Sequence, residues 1–172
     1  MPKITFYEDE LYKRDKQEES TIKIVSFRLA QEWYGVEIIH IKEVIKVGEI
    51  AYLPFGPEYI SGLINLRGNI VSVTNLKRIF NLPEEAIAEN SRLIVVEYSG
   101  LETAILTDEI SRVTDVPIGK IDPTLSTIPP GRAAYIDGEC KIGDKLIAIL
   151  KVEMALNVEK KDKKQGGGDA LS

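Results

Sequence analysis

The side chains that could break or make a bond are few and scattered. His40 is the only histidine and Cys140 the only cysteine. With one of each, far apart in sequence, a single chain cannot assemble a zinc set of the usual composition. His40 lies in the apolar run Ile38–Ile41, where a histidine reads as a structural or surface residue rather than a base. Cys140 sits in Gly138–Glu139–Cys140–Lys141, an ordinary hairpin context for a thiol. Carboxylates pair at Glu84–Glu85, Asp108–Glu109 and Asp137/Glu139. Acid–base work needs two carboxyls facing each other across a cleft, and adjacent acids in turns are usually solvated. There is no GxxxxGK[ST] and no GxGxxG, and Gly166–Gly168 has neither a strand before it nor a helix after it. The expectation is a chain with no catalytic residues, no cofactor and no metal.

The polar group with the most pointed setting is Arg67. It stands in LPFGPEYISGLINLRGNIVSVTNLKRIF, residues 53–80, which is dense in turn-formers and apolar residues. Pro54 and Pro57 interrupt any helix or ladder. Gly56, Gly62 and Gly68 allow backbone that other residues resist. Ile70–Val73 reads as a half-buried or buried strand, so Arg67 belongs at a strand-to-strand corner. There it either touches only water or presents its rigid fork of five donors to a partner.

What must hold that corner is β structure. The 172 residues suffice for one domain or two small ones. Hydrophobic residues at 44% and charged residues at 28% are the balance of an ordinary soluble protein. A net charge of −5 argues against a general nucleic-acid binder, which needs a basic face. No apolar run approaches the roughly 18–20 residues that span a bilayer. The N-terminus has no apolar core of a secretory signal, and a lone cysteine makes no internal disulfide. These features point to a cytoplasmic protein without direct membrane insertion.

In chain order, residues 1–21 read as a flexible segment in which Ile4, Tyr7 and Leu11 could line a short helix. Residues 22–38 read as strand, tight turn, strand. Residues 38–45 fit either period, and a strand passing into a helical turn is favoured. Asn81–Ile87 reads as a short helix or turn. Strands follow at Arg92–Tyr98, Leu101–Thr107 and Ser111–Val116, then a proline-rich loop, then Ala133–Ile136, Glu139–Ile142 and Lys145–Lys151. A helical turn is expected at 151–157 and a disordered tail at 158–172.

The halves resemble each other. Residues 66–73 lie over residues 142–149 without a gap, and 24–38 shares its strand–turn–strand order with 93–106. Two copies of one small β unit are implied, each of about five short strands. Two closed barrels solve the edge problem best, with a single sandwich as the alternative. The expected boundaries are a first barrel near 22–82 and a second near 90–150.

Tyr34-Gly35-Val36-Glu37-Ile38, Glu43-Val44 and above all Pro57-Glu58-Tyr59-Ile60-Ser61-Gly62-Leu63-Ile64-Asn65-Leu66-Arg67-Gly68 resemble the CheW family of chemotaxis coupling proteins. The likeness runs from about Ile24 to Leu156 and includes Asp137-Gly138 and Lys145–Leu150. It implies an all-β fold of two five-stranded SH3-like barrels related by duplication, with short helical turns. It implies a non-catalytic adaptor that joins the cytoplasmic tip of methyl-accepting chemoreceptors to the regulatory domain of the histidine kinase CheA. On the matching positions, receptor docking would use Ile38, Ile41, Glu43, Gly62 and Arg67; the kinase-contacting residues stay unassigned. Ser72, Asn75 and Lys151 stand where the family often has Pro, Asp and Asp, and His40 where it is often polar or basic. No receiver domain is expected after Leu156. A scaffold of the same type in a surface-motility pathway is the near alternative. An oligonucleotide-binding barrel is the distant one, and its stacking aromatics interleaved with basic residues are not found.

Overall fold

Residues 20–156 are described by the structure, a computed structural model. The run Ile4–Tyr7–Leu11 and the tail 158–172 lie outside the described residues.

The chain alternates strands with short turns: β1 (Thr21–Leu29), β2 (Glu32–Glu37), a 3-10 turn (Ile38–His40), β3 (Ile41–Lys46), β4 (Ile60–Leu66), β5 (Asn69–Thr74), α1 (Leu76–Ile79), β6 (Arg92–Tyr98), β7 (Leu101–Thr107), β8 (Glu109–Pro117), a second 3-10 turn (Ile118–Lys120), α2 (Pro130–Ala133), β9 (Ile136–Ile142) and β10 (Lys145–Leu150). Residues 152–156 close as a helical turn. The ten strands form two five-stranded sheets, ordered β8-β1-β2-β10-β9 and β3-β6-β7-β5-β4. The all-β, twofold-repeated architecture read from the sequence is present.

The expected barrel boundaries are not. Strands between residues 41 and 107 make one sheet, while 21–37 and 109–150 together make the other. The first hairpin of each repeat leaves its own copy and pairs with the other copy's last three strands. Two parallel pairings carry the exchange, β2 with β10 (Trp33↔Ile147) and β7 with β5 (Ala104↔Val73). Alternation and turn residues specify where strands begin and end, but not which distant strand each one meets.

Both sheets curl by the same device. The segment leaving one edge strand bridges back to the opposite edge, Ala51 to Leu63 in one sheet and Asp122 to Glu139 in the other. A glycine beside each bridge makes room: a Cβ on Gly62 would stand 2.3 Å from the Ala51 carbonyl oxygen, and one on Gly138 2.5 Å from Ile121 Cγ2. Gly62 and Gly138 fall at equivalent positions of the gapless repeat.

Each sheet encloses an apolar cluster, Ile64, Val71, Val73, Leu93, Val95, Ala104 and Leu106 in one and Ile24, Val116, Cys140, Ile147 and Ile149 in the other. The largest cluster joins the two, with Phe27, Leu29, Tyr34 and Val36 from one sheet against Leu76, Phe80, Ile94, Val96 and Ile105 from the other. At this junction Lys77 Nζ lies 2.6 Å from Asp108 Oδ1, with both side chains buried. The second carboxylate oxygen of Asp108 accepts from the Ala30 amide at 2.7 Å. An ion pair withdrawn from water persists only when its remaining valences are also met, and this one ties α1, the β1–β2 turn and the β7–β8 link together.

Three local expectations need correction. The helix falls at 76–79 rather than 81–87, because the Asn75 side chain accepts from the Lys77 amide and caps the earlier start. Asn81, at φ 54°, then ends it. Between 38 and 46 the turn comes first and the strand second, so the order is the reverse of that expected. Ala133 belongs to α2, not to a strand.

Candidate functional site

The β4–β5 hairpin closes on two residues, Arg67 and Gly68, between the paired Leu66 and Asn69. Both have positive φ, 54° and 87°. That pair of signs matches the strand twist in a two-residue hairpin and is normally supplied by Asn-Gly or Gly-Gly. Asn65 Oδ1 accepts from the Gly68 amide at 2.8 Å and steadies the turn. In the other sheet the matching corner is Gly143-Asp144, with glycine at φ 60°. Holding a non-glycine residue in left-handed backbone costs about 1–2 kcal/mol. Arg67 therefore occupies a corner that its twin fills with glycine.

The Arg67 guanidinium reaches across to β3, where its two terminal nitrogens lie 3.4 and 3.5 Å from the two Glu43 carboxylate oxygens. Because β3 and β4 are opposite edges of one sheet, this pair spans the seam. The Arg67 side chain is 80% exposed, so the pair is weak and free to rearrange. Glu43 is the more sheltered partner.

Of the five expected docking residues, the structure brings Glu43 and Arg67 into contact. Ile38, on the 3-10 turn before β3, is exposed, and Ile41, at the start of β3, is partly buried against the central cluster. Gly62 is buried and presents no surface; its place is the close pass beneath Ala51. Further apolar side chains on these same elements are exposed. Ile39 is 78% exposed, Val44 is exposed, and Ile70 is 66% exposed one position beyond the hairpin's closing pair. Tyr52 and Phe55, in the proline-punctuated segment before β4, are also held out in solvent. Ile70–Val73 was legible as a strand, but not that Ile70 at its start faces solvent while Ser72, two residues on, is buried.

The groups considered for chemistry stay apart. His40 packs its ring against Tyr98, with centroids 5.6 Å apart, and its Nε2 is 3.9 Å from Glu37. The Cys140 thiol is buried, and burial pushes its pKa up, which leaves it poorly nucleophilic. Among the described residues no three His, Cys, Asp or Glu side chains group as metal ligands. No helix among them is long and apolar enough to cross a membrane.

The CheW-like domain family model matches residues 23–160, most of the chain. The chain belongs to the CheW family. Among its relatives, the chemotaxis protein CheW of Treponema pallidum is 28% identical over 76% of this chain and 79% of its own length. That of Helicobacter pylori is 28% identical over 83% and 86%. The crystal structure of the scaffolding protein TtCheW from Thermoanaerobacter tengcongensis superposes with a TM-score of 0.70 at 37% identity, covering 76% of this chain and 84% of that one. Membership of the CheW family makes the protein a non-catalytic chemotaxis scaffold that couples receptors to the kinase CheA.

Proposed function

We propose that the Arg67 corner is the receptor-docking site, and that its occupant is the helical tip of a methyl-accepting chemoreceptor on the cytoplasmic side of the membrane. Arg67 donates hydrogen bonds to that tip, Glu43 aims the guanidinium, and Ile38 and Ile41 meet an apolar stripe of the helix. A helical hairpin laid in a groove uses this division between apolar anchor and polar fork. Gly62 serves by letting β4 pass beneath Ala51, which sets the spacing of the seam. The CheA regulatory domain engages other surfaces of the two sheets, so that both partners are held at once and the protein joins the membrane array through protein contacts alone.

The observation that supports this most is Arg67 in left-handed backbone at a corner whose repeat partner is Gly143. Local strain at an exposed position points to a use that offsets it. In a pull-down with receptor signalling fragments, Arg67→Glu should leave the far-ultraviolet spectrum and thermal midpoint close to wild type while association is lost. Wild-type affinity in the variant would remove Arg67 from the interface.

A further inference from the structure

Away from the Arg67 corner, on the other sheet, β2, β9, β10 and the 127–132 loop enclose a cleft of about 420 Å³. That volume lies within the range of small-ligand and side-chain pockets. Among its lining residues is Glu139, only 6% exposed. The Thr127 hydroxyl donates to one of its carboxylate oxygens. Among the described residues no lysine or arginine comes within ion-pair distance of it, in contrast to buried Asp108.

The two basic groups of the cleft are committed elsewhere. Arg132 Nη1 lies 2.5 Å from Glu32 Oε2 and 3.5 Å from the Tyr34 hydroxyl. Burial opposes ionisation of Glu32, but hydrogen bonds from Arg132 and Tyr34 outweigh it and hold the carboxyl below its usual range. The Lys145 ammonium sits 3.6 Å from the centroid of the Trp33 ring. The lining thus holds three carboxylates, Glu32, Glu139 and Asp144, against two basic groups, Arg132 and Lys145.

The fold does not need an acid at 139. The gapless repeat sets Leu63 there in the other sheet, and Leu63 makes the same backbone bridge to Ala51 that Glu139 makes to Asp122. A carboxylate taken from water without a counter-ion is destabilising by several kcal/mol.

We propose that this cleft receives an arginine or lysine side chain of a partner protein, with Glu139 as the counter-ion of its cationic head. The aliphatic stem lies along Ile128, Pro129 and Leu146, as long basic side chains do against apolar surface. One added positive charge balances the lining.

The test titrates the full-length, 15N-labelled chain with N-acetyl-arginine methylamide, with its neutral citrulline counterpart, and with spermidine. The arginine compound should give saturable amide shifts at Thr127, Glu139 and Lys145 with a millimolar dissociation constant, and citrulline none. Glu139→Gln, which still accepts from Thr127, should abolish the response. Glu139→Leu, the residue of the repeat partner, should keep or raise the thermal midpoint. Equal shifts from citrulline, an undiminished response in Glu139→Gln, or a marked loss of stability in Glu139→Leu would each overturn the proposal. Tighter binding of spermidine would replace the protein side chain with a free amine.

Discussion

Arg67→Gly separates the two demands on one residue. Glycine relieves the left-handed backbone but enlarges the unfolded ensemble, and each effect is worth about 1 kcal/mol. Chemical denaturation should therefore find stability within about 1 kcal/mol of wild type, while receptor association falls as it does in Arg67→Glu. At the same scale, Cys140 should resist iodoacetamide in the native state at pH 8 and react once the chain is unfolded. Burial raises its pKa, so the thiolate is scarce where the fold is intact. Rapid native labelling would show that the β9 region opens locally. Arg67 was legible in the sequence because glycines, prolines and a strand run framed it. The exposure of Ile70 was not, since an apolar residue at a strand end reads the same whether it faces a core or a partner.

At the scale of elements, the two bridge glycines should differ. A methyl at Gly62 meets a carbonyl oxygen that cannot retreat, on backbone with φ of 155°, whereas one at Gly138 meets the end of the Ile121 side chain. Gly62→Ala should lower stability by about 2–4 kcal/mol and Gly138→Ala by roughly half as much, read from urea midpoints. Equal losses would mean that both seams give way by the same route. The repeat itself was legible because its two hairpins carry turn residues at matching places, Arg67-Gly68 and Gly143-Asp144. The partners of each hairpin were not, since β2–β10 and β5–β7 are parallel pairings whose contacts depend on the whole chain. The displaced helix shows the same limit: Asn75 as a cap outweighed the proline and acids that suggested a start after 81.

For the molecule as a whole, the Lys77–Asp108 pair governs how the two sheets sit together. Asp108→Ala leaves a buried ammonium without its partner and should lose about 3–5 kcal/mol. The double variant Lys77→Met with Asp108→Leu removes both charges and should lose less, as measured by equilibrium denaturation. A double variant as damaged as the single one would show that the Ala30 amide, not the charge pair, is what Asp108 secures. The combined core of Phe27, Tyr34, Leu76, Phe80 and Ile94 makes both sheets one cooperative unit, so the sheets should melt together.

The interleaved strand order also bears on how the chain is made. All five strands of the β3–β7 sheet emerge from the ribosome in succession, so that unit can close while synthesis continues. The β1–β2 hairpin, translated before any of them, has to wait beside it until β8, β9 and finally β10 are out. A nascent chain with its first 108 residues clear of the ribosome would thus carry one finished sheet and one orphaned ribbon with bare edges, a ready substrate for chaperones.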